Sequence, residues 1–227
     1  MTSQEKIQEH LDVIGRLIAD TEYHFTNLQH LTQLKDDDQK VVNGFLVLRN
    51  YRSILWNLVV LDLNKLLSKS NNDKFSVRKL INIIIQERNK VFWMHQVDLV
   101  QLKSYKVTLT QFDDKIDKLT VIRDKHVAHF DNKKLHFTIS VSELCDLIDF
   151  CKMVHNSISY WLSERKFHWY SAEFDMIDPI IYNLQKFSKI RNLFFEHHRA
   201  NKSHIEMAEL SKIIRPQAQG NIVQNQD

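Results

Sequence analysis

Three glycines and two prolines punctuate 227 residues. So few breakers, with abundant Leu, Ile, Lys and Gln, argue for a chain that is mostly helix. With 43% hydrophobic residues, it is long enough to bury a real core as one large domain or a domain with an appendage. The expected fold class is all-α.

Apolar periodicity places the helices. Residues 3–34 read as helix, with Ile7, Leu11, Ile14 and Ile18 on one stripe and a possible break near Asp20–Thr21. Residues 39–68 read as a single helix, apolar on nearly all sides, which suits the centre of a bundle. Arg49, Arg52 and Asp62 interrupt it. The two arginines either pair with an acid of a neighbouring helix or line a cleft, and structural pairing is favoured. Ser76 is a plausible cap for a helix over 77–88, whereas 87–98 has no clear period. A motif-bearing helix spans about 108–131. Ser142 caps a further helix to about 164, with Leu144, Leu147, Ile148, Cys151, Val154, Ile158, Trp161 and Leu162 in one stripe. Asp178-Pro179 reads as an N-cap and first helical residue. Ser203–Glu206 resembles a capping box, and 215–227 reads as a disordered tail. The expected division is a bundle over 1–165, a helical extension over 166–214 and that tail.

Charge and cysteine usage narrow the function classes. The net charge is +3, from 31 basic and 28 acidic residues, so binding to nucleic acid needs a local patch. Cys145 and Cys151, six residues apart on one helix, cannot bond to each other and read as small apolar residues in a reducing cytosol. The start, Met-Thr-Ser-Gln-Glu-Lys, has no apolar signal segment, and the greasiest run, 53–61, is too short to span a bilayer. The chain reads as cytoplasmic, with no membrane partner. With three glycines there is no phosphate-cradling loop. His126 with His129, and His197 with His198, lack the neighbouring ligands a metal site needs, so no metal and no cofactor is expected.

The informative stretch is 123–131, R-D-K-H-V-A-H-F-D. On a helical wheel Phe112, Ile116, Leu119, Arg123 and Val127 fall within roughly 80° of one another. His126 and His129 flank that stripe. A guanidinium on a packing face must find a partner or face a cleft, because an unpaired buried charge costs several kcal/mol. Two readings follow. Either Arg123 packs its stem and pairs its head for structural reasons, or the helix ends at a site.

Arg123, five intervening residues and His129, late in a helix of an all-α chain, resemble the R-x(4–6)-H motif of the HEPN superfamily. With Lys125, Ala128 and Asp131, the wording is similar to the signature of its AbiU-like, abortive-infection branch. The Trp56…Asp62-Leu63…Leu66-Leu67 helix and the start at Ser76–Leu80 support it. The resemblance covers roughly residues 1–165 and implies an up-and-down bundle with additional C-terminal helices. It also implies a metal-independent endoribonuclease that acts as a toxin or abortive-infection effector in phage defence. In that chemistry the 2′-OH attacks the neighbouring phosphate. By resemblance, His129 is general base or acid and Arg123 clamps the phosphate. Asp124 orients Arg123 or a histidine, and Lys125 and His126 add charge for the RNA backbone. A homodimer would supply the second histidine by bringing two motifs face to face. An antitoxin or other regulatory protein is a further implied partner. Related toxins that are modified by a nucleotidyltransferase carry a Tyr two residues after the His, where this chain has Asp131. The alternative is a non-catalytic HEPN module that binds RNA, a nucleotide or a partner protein.

Overall fold

The structure, a computed structural model, describes residues 2–70, 72–127, 139–165, 167 and 177–199. Among these residues it is all-α, with no strand. The helices are α1 (Ser3–Thr32), α2 (Asp36–Gly44), α3 (Leu46–Leu66), α4 (Val77–Glu87), α5 (Leu99–Gln111), α6 (Asp113–Ile122), α7 (Val141–Ser163) and α8 (Ile177–Arg199). A 3-10 turn (Arg88–Lys90) follows α4, and a π-turn (Arg123–Val127) follows α6.

The chain forms two compact units. The described residues of 1–33 and 47–173 make the larger, and those of 34–46 and 174–227 the smaller. In the larger unit α1 packs on α7 and α4, and α4 packs on α5. Ile7, Leu11, Ile14 and Ile18 of α1 are buried, as are Leu80, Ile81 and Ile84 of α4 and the whole predicted stripe of α7. In the smaller unit α2 packs on α8, and Asp38 accepts a hydrogen bond from Gln185.

Local chemistry explains the helix ends. Thr2 and Glu5 form a capping box at α1, so two otherwise orphaned amides are satisfied. Ser76 caps α4 by accepting from the Lys79 amide at 3.2 Å. Asp98 caps α5 by accepting from Val100 and Gln101 at 2.8 and 3.0 Å. Behind that cap, Leu102, Tyr105 and Leu109 are buried at helical spacing.

Several boundaries differ from the sequence reading. α1 runs through Asp20–Thr21 without a break. The Thr21 hydroxyl donates back to the Leu17 carbonyl at 2.6 Å, so the residue is satisfied inside the helix. The single helix over 39–68 is two helices, α2 and α3, because Asn43-Gly44 is weak helix-forming sequence and Phe45 turns extended. α3 is not buried all round, since Leu46, Val47 and Ile54 are exposed. Of the helix expected over 108–131, the described part is the end of α5, a joint at Phe112, α6 and the π-turn, and 128–131 lie outside the described residues. α7 is capped by Ser140, not Ser142. Only Ser140 has a glutamate three residues on, Glu143, to close a capping box. α8 begins at Ile177, so Asp178 and Pro179 lie within its first turn. Proline is tolerated there because the first amides of a helix have no internal partner. The predicted capping box at 203–206 and the tail lie outside the described residues.

Arg49 is exposed and Arg52 is half-buried. Cys145 and Cys151 are both free thiols. Burial pushes the Cys151 thiol up, which leaves it inert.

Candidate functional site

The site is organised around the end of α6. Its buried residues Ile116, Leu119 and Ile122 press one side of the helix into the core. Arg123 follows at the first position of the π-turn. A π-turn widens the helix by one residue and re-aims the side chains that follow, a device found often at functional positions.

The guanidinium of Arg123 is held from two directions. Its Nη1 donates to Asn64 Oδ1 on α3 at 2.5 Å. Its Nε donates to Asp124 Oδ1 at 2.8 Å, and its Nη2 lies 2.7 Å from the same oxygen. Asn64 is itself fixed, since its Nδ2 donates to the Thr120 hydroxyl at 3.0 Å. Thr120 in turn donates to the Ile116 carbonyl at 3.0 Å. A relay of three hydrogen bonds therefore ties the arginine head to the backbone of its own helix through a neighbouring one. Asn64 is buried, whereas 37% of the Arg123 side chain is exposed. The relay thus holds a cation whose outer edge reaches solvent. A guanidinium has five N–H groups. Three are used here among the described residues, and the rest can meet an anion.

Asp124 lies against Arg123, with its Oδ1 2.7 Å from the Nη2 of that guanidinium. Lys125 is exposed on the same turn. The backbone of His126 lies in the π-turn, but its side chain is outside the described residues, as are Ala128, His129 and Asp131. The structure brings together Arg123 and Asp124 of the predicted set and adds Asn64 and Thr120, which sequence reading missed. Asn64 carried one signal: a polar amide inside the apolar C-terminal half of α3.

On α3, two residues before Asn64, Asp62 is buried and pairs with His24 of α1, Nδ1 to Oδ2 at 3.2 Å. Burial raises the Asp62 carboxyl above its ordinary value, with His24 opposing that shift. α3 therefore carries a polar residue into each of two packing faces. Among the described residues, no group of three or more His, Cys, Asp or Glu could hold a metal ion. No described helix is long and apolar enough to cross a membrane.

The all-α bundle and the R-x(5)-H spacing that opens at Arg123 agree with the HEPN resemblance. A model of the AbiU2 family, HEPN_AbiU2, matches residues 4–177, and the chain belongs to that abortive-infection-related family. No curated protein and no solved structure matches the chain.

Proposed function

We propose that the protein is a metal-independent endoribonuclease, an abortive-infection effector that cleaves RNA at a composite site carrying Arg123 and His129 from each of two chains. The anchored guanidinium of Arg123 carries this reading. Cleavage by an internal 2′-OH needs a fixed cation beside the phosphate, where charge accumulates in the transition state. A cation preorganised by Asn64 and Asp124 loses less entropy on meeting that phosphate than a free surface arginine does. Imidazole titrates near neutral pH, so His129 is suited to move the proton. Lys125 and His126 add positive charge for the strand. The anion Asp124 sits on the fork of Arg123, and an incoming phosphate shares the guanidinium with it or displaces it.

The test is cleavage of a mixed RNA pool by purified protein in EDTA, beside Arg123→Ala and His129→Ala. Wild-type cleavage that both variants lose supports the proposal. If all three proteins are folded, bind RNA equally and leave it intact, the non-catalytic binding module is the better reading.

A further inference from the structure

A groove of about 500 Å³ lies where α1 runs past the end of α3 and the 73–75 segment, all within the larger unit. Each of its walls carries one cation and one carboxylate. On α1 these are Arg16 and Asp20; on the other wall they are Lys65 of α3 and Asp73. Opposite charges four residues apart on a helix are placed to pair. Here they stay open: among the described residues none of the four makes an ion pair within 4.0 Å. Arg16 turns the other way, and its Nε donates to the Asp12 carbonyl at 3.3 Å. Asp73 is oriented by the Ser68 hydroxyl. Lys74, also on the groove, does pair, its Nζ 2.9 Å from Glu9 Oε1, so its charge is already met. Leu17 and the ring of Phe75 supply an apolar strip beside the open charges.

We infer that this groove binds a short zwitterionic peptide, its terminal carboxylate on Arg16 and Lys65 and its terminal ammonium on Asp20 and Asp73. Two open cations and two open carboxylates cancel, so the groove selects a ligand that carries both signs. A simple anion meets the cations and is repelled by the carboxylates, and a diamine meets the reverse. A wholly apolar ligand strips water from four charges and gives them no partner. Arg16 takes a carboxylate through two parallel N–H bonds, and Lys65 adds a point charge. The spacing along α1 sets the length. Four residues of helix rise about 6 Å, and two residues of extended chain reach roughly 7 Å. A single amino acid has its two charges closer together and engages one end only. The side chains of a dipeptide then rest on Leu17 and Phe75. The volume falls in the range of small-ligand sites. Arg123 does not line the groove, and the inference does not rest on RNA cleavage.

The experiment is calorimetric titration of the full chain with the dipeptide Ala-Phe, its N-acetyl, C-amide and doubly capped forms, and free phenylalanine. Ala-Phe is expected to saturate the chain at millimolar concentration or below, and either single cap to weaken it by about tenfold. Variants assign the two ends. With Arg16→Gln and Lys65→Gln combined, the amide cap should cost nothing further, because the partners of the carboxylate are gone. In Asp20→Asn the penalty of the acetyl cap should shrink. All three residues are exposed, so the variants should melt as wild type. Arg123→Ala should leave every isotherm unchanged. The inference is overturned if the doubly capped form or free phenylalanine binds as tightly as Ala-Phe. It is equally overturned if the caps carry the same penalties in the variants as in wild type, or if Ala-Phe fails to saturate. The absence of RNA cleavage in EDTA would not alter these isotherms, so the two proposals fail separately.

Discussion

Two residues, Asn64 and Gly15, show how much rests on a single contact. Asn64 meets Arg123 with its oxygen and Thr120 with its nitrogen. If Arg123 clamps RNA as proposed, Asn64→Ala removes both links, leaves the guanidinium held by Asp124 alone and is expected to lower RNA cleavage at least about tenfold. RNA binding should change far less, because the charge remains. Measuring turnover and binding separately checks this, and an equal loss in both would show that Asn64 acts only through folding or charge. Gly15 sits on α1 against His155 of α7. A Cβ built there lies 2.8 Å from His155 Nε2. The ring is buried and bonded to the Leu11 carbonyl at 3.1 Å, so it has little room to retreat. Gly15→Ala is expected to cost about 1–3 kcal/mol of stability, although alanine is the better helix former. Gly44 has open space around it, and Gly44→Ala should be neutral or stabilising by up to about 1 kcal/mol. Thermal melting should fall for Gly15→Ala and hold or rise for Gly44→Ala.

Among the elements, the ends carry more information than the middles. The α7 stripe was legible because an unbroken three-and-four spacing admits one buried face. Its start was not, because Ser140 and Ser142 look alike until the partner at Glu143 is considered. Ser140→Ala is therefore expected to destabilise by about 1 kcal/mol, and Ser142→Ala hardly at all. Urea titration of the two variants separates them. α5 escaped notice although Asp98 is a good cap. Its apolar residues Val100 and Val107 are exposed beside the buried Leu102, Tyr105 and Leu109, so the stripe is blurred. The joint at Phe112 is invisible to periodicity for another reason. Phe112 keeps near-helical backbone angles, and the stripe continues almost in phase across it.

For the molecule as a unit, acid is the expected weakness. His155 and His10 are both held below their ordinary value of 6.5, chiefly because burial disfavours the charged ring. The unfolded chain therefore binds protons first as pH falls below 6.5. Stability contributed by these neutral rings is fully present above that pH and is lost on the way down to the folded values. Asp62 has the opposite sign. Its raised carboxyl costs stability as pH rises above 3.8 and the unfolded chain ionises first. The two windows differ, so urea midpoints are expected to fall between pH 7.5 and 5.5, and replacing His155 with Gln should flatten part of that fall. No change across this range would mean that neither ring stays neutral in the folded chain.

Residue order alone was enough for the all-α class, for most buried faces and for the HEPN motif opening at Arg123. Each of these is a local property, set by spacing along one helix or by neighbours within a few positions. What holds Arg123 is not local. Asn64 lies 59 residues away in the chain, and a polar side chain within an apolar helix does not announce which neighbour it will meet. The same is true of Gly15 against His155, and of the groove assembled from α1, the end of α3 and the 73–75 segment. Such contacts depend on how helices are placed against one another. That placement comes from the summed packing of dozens of small apolar contacts, none of which carries the answer in its own sequence.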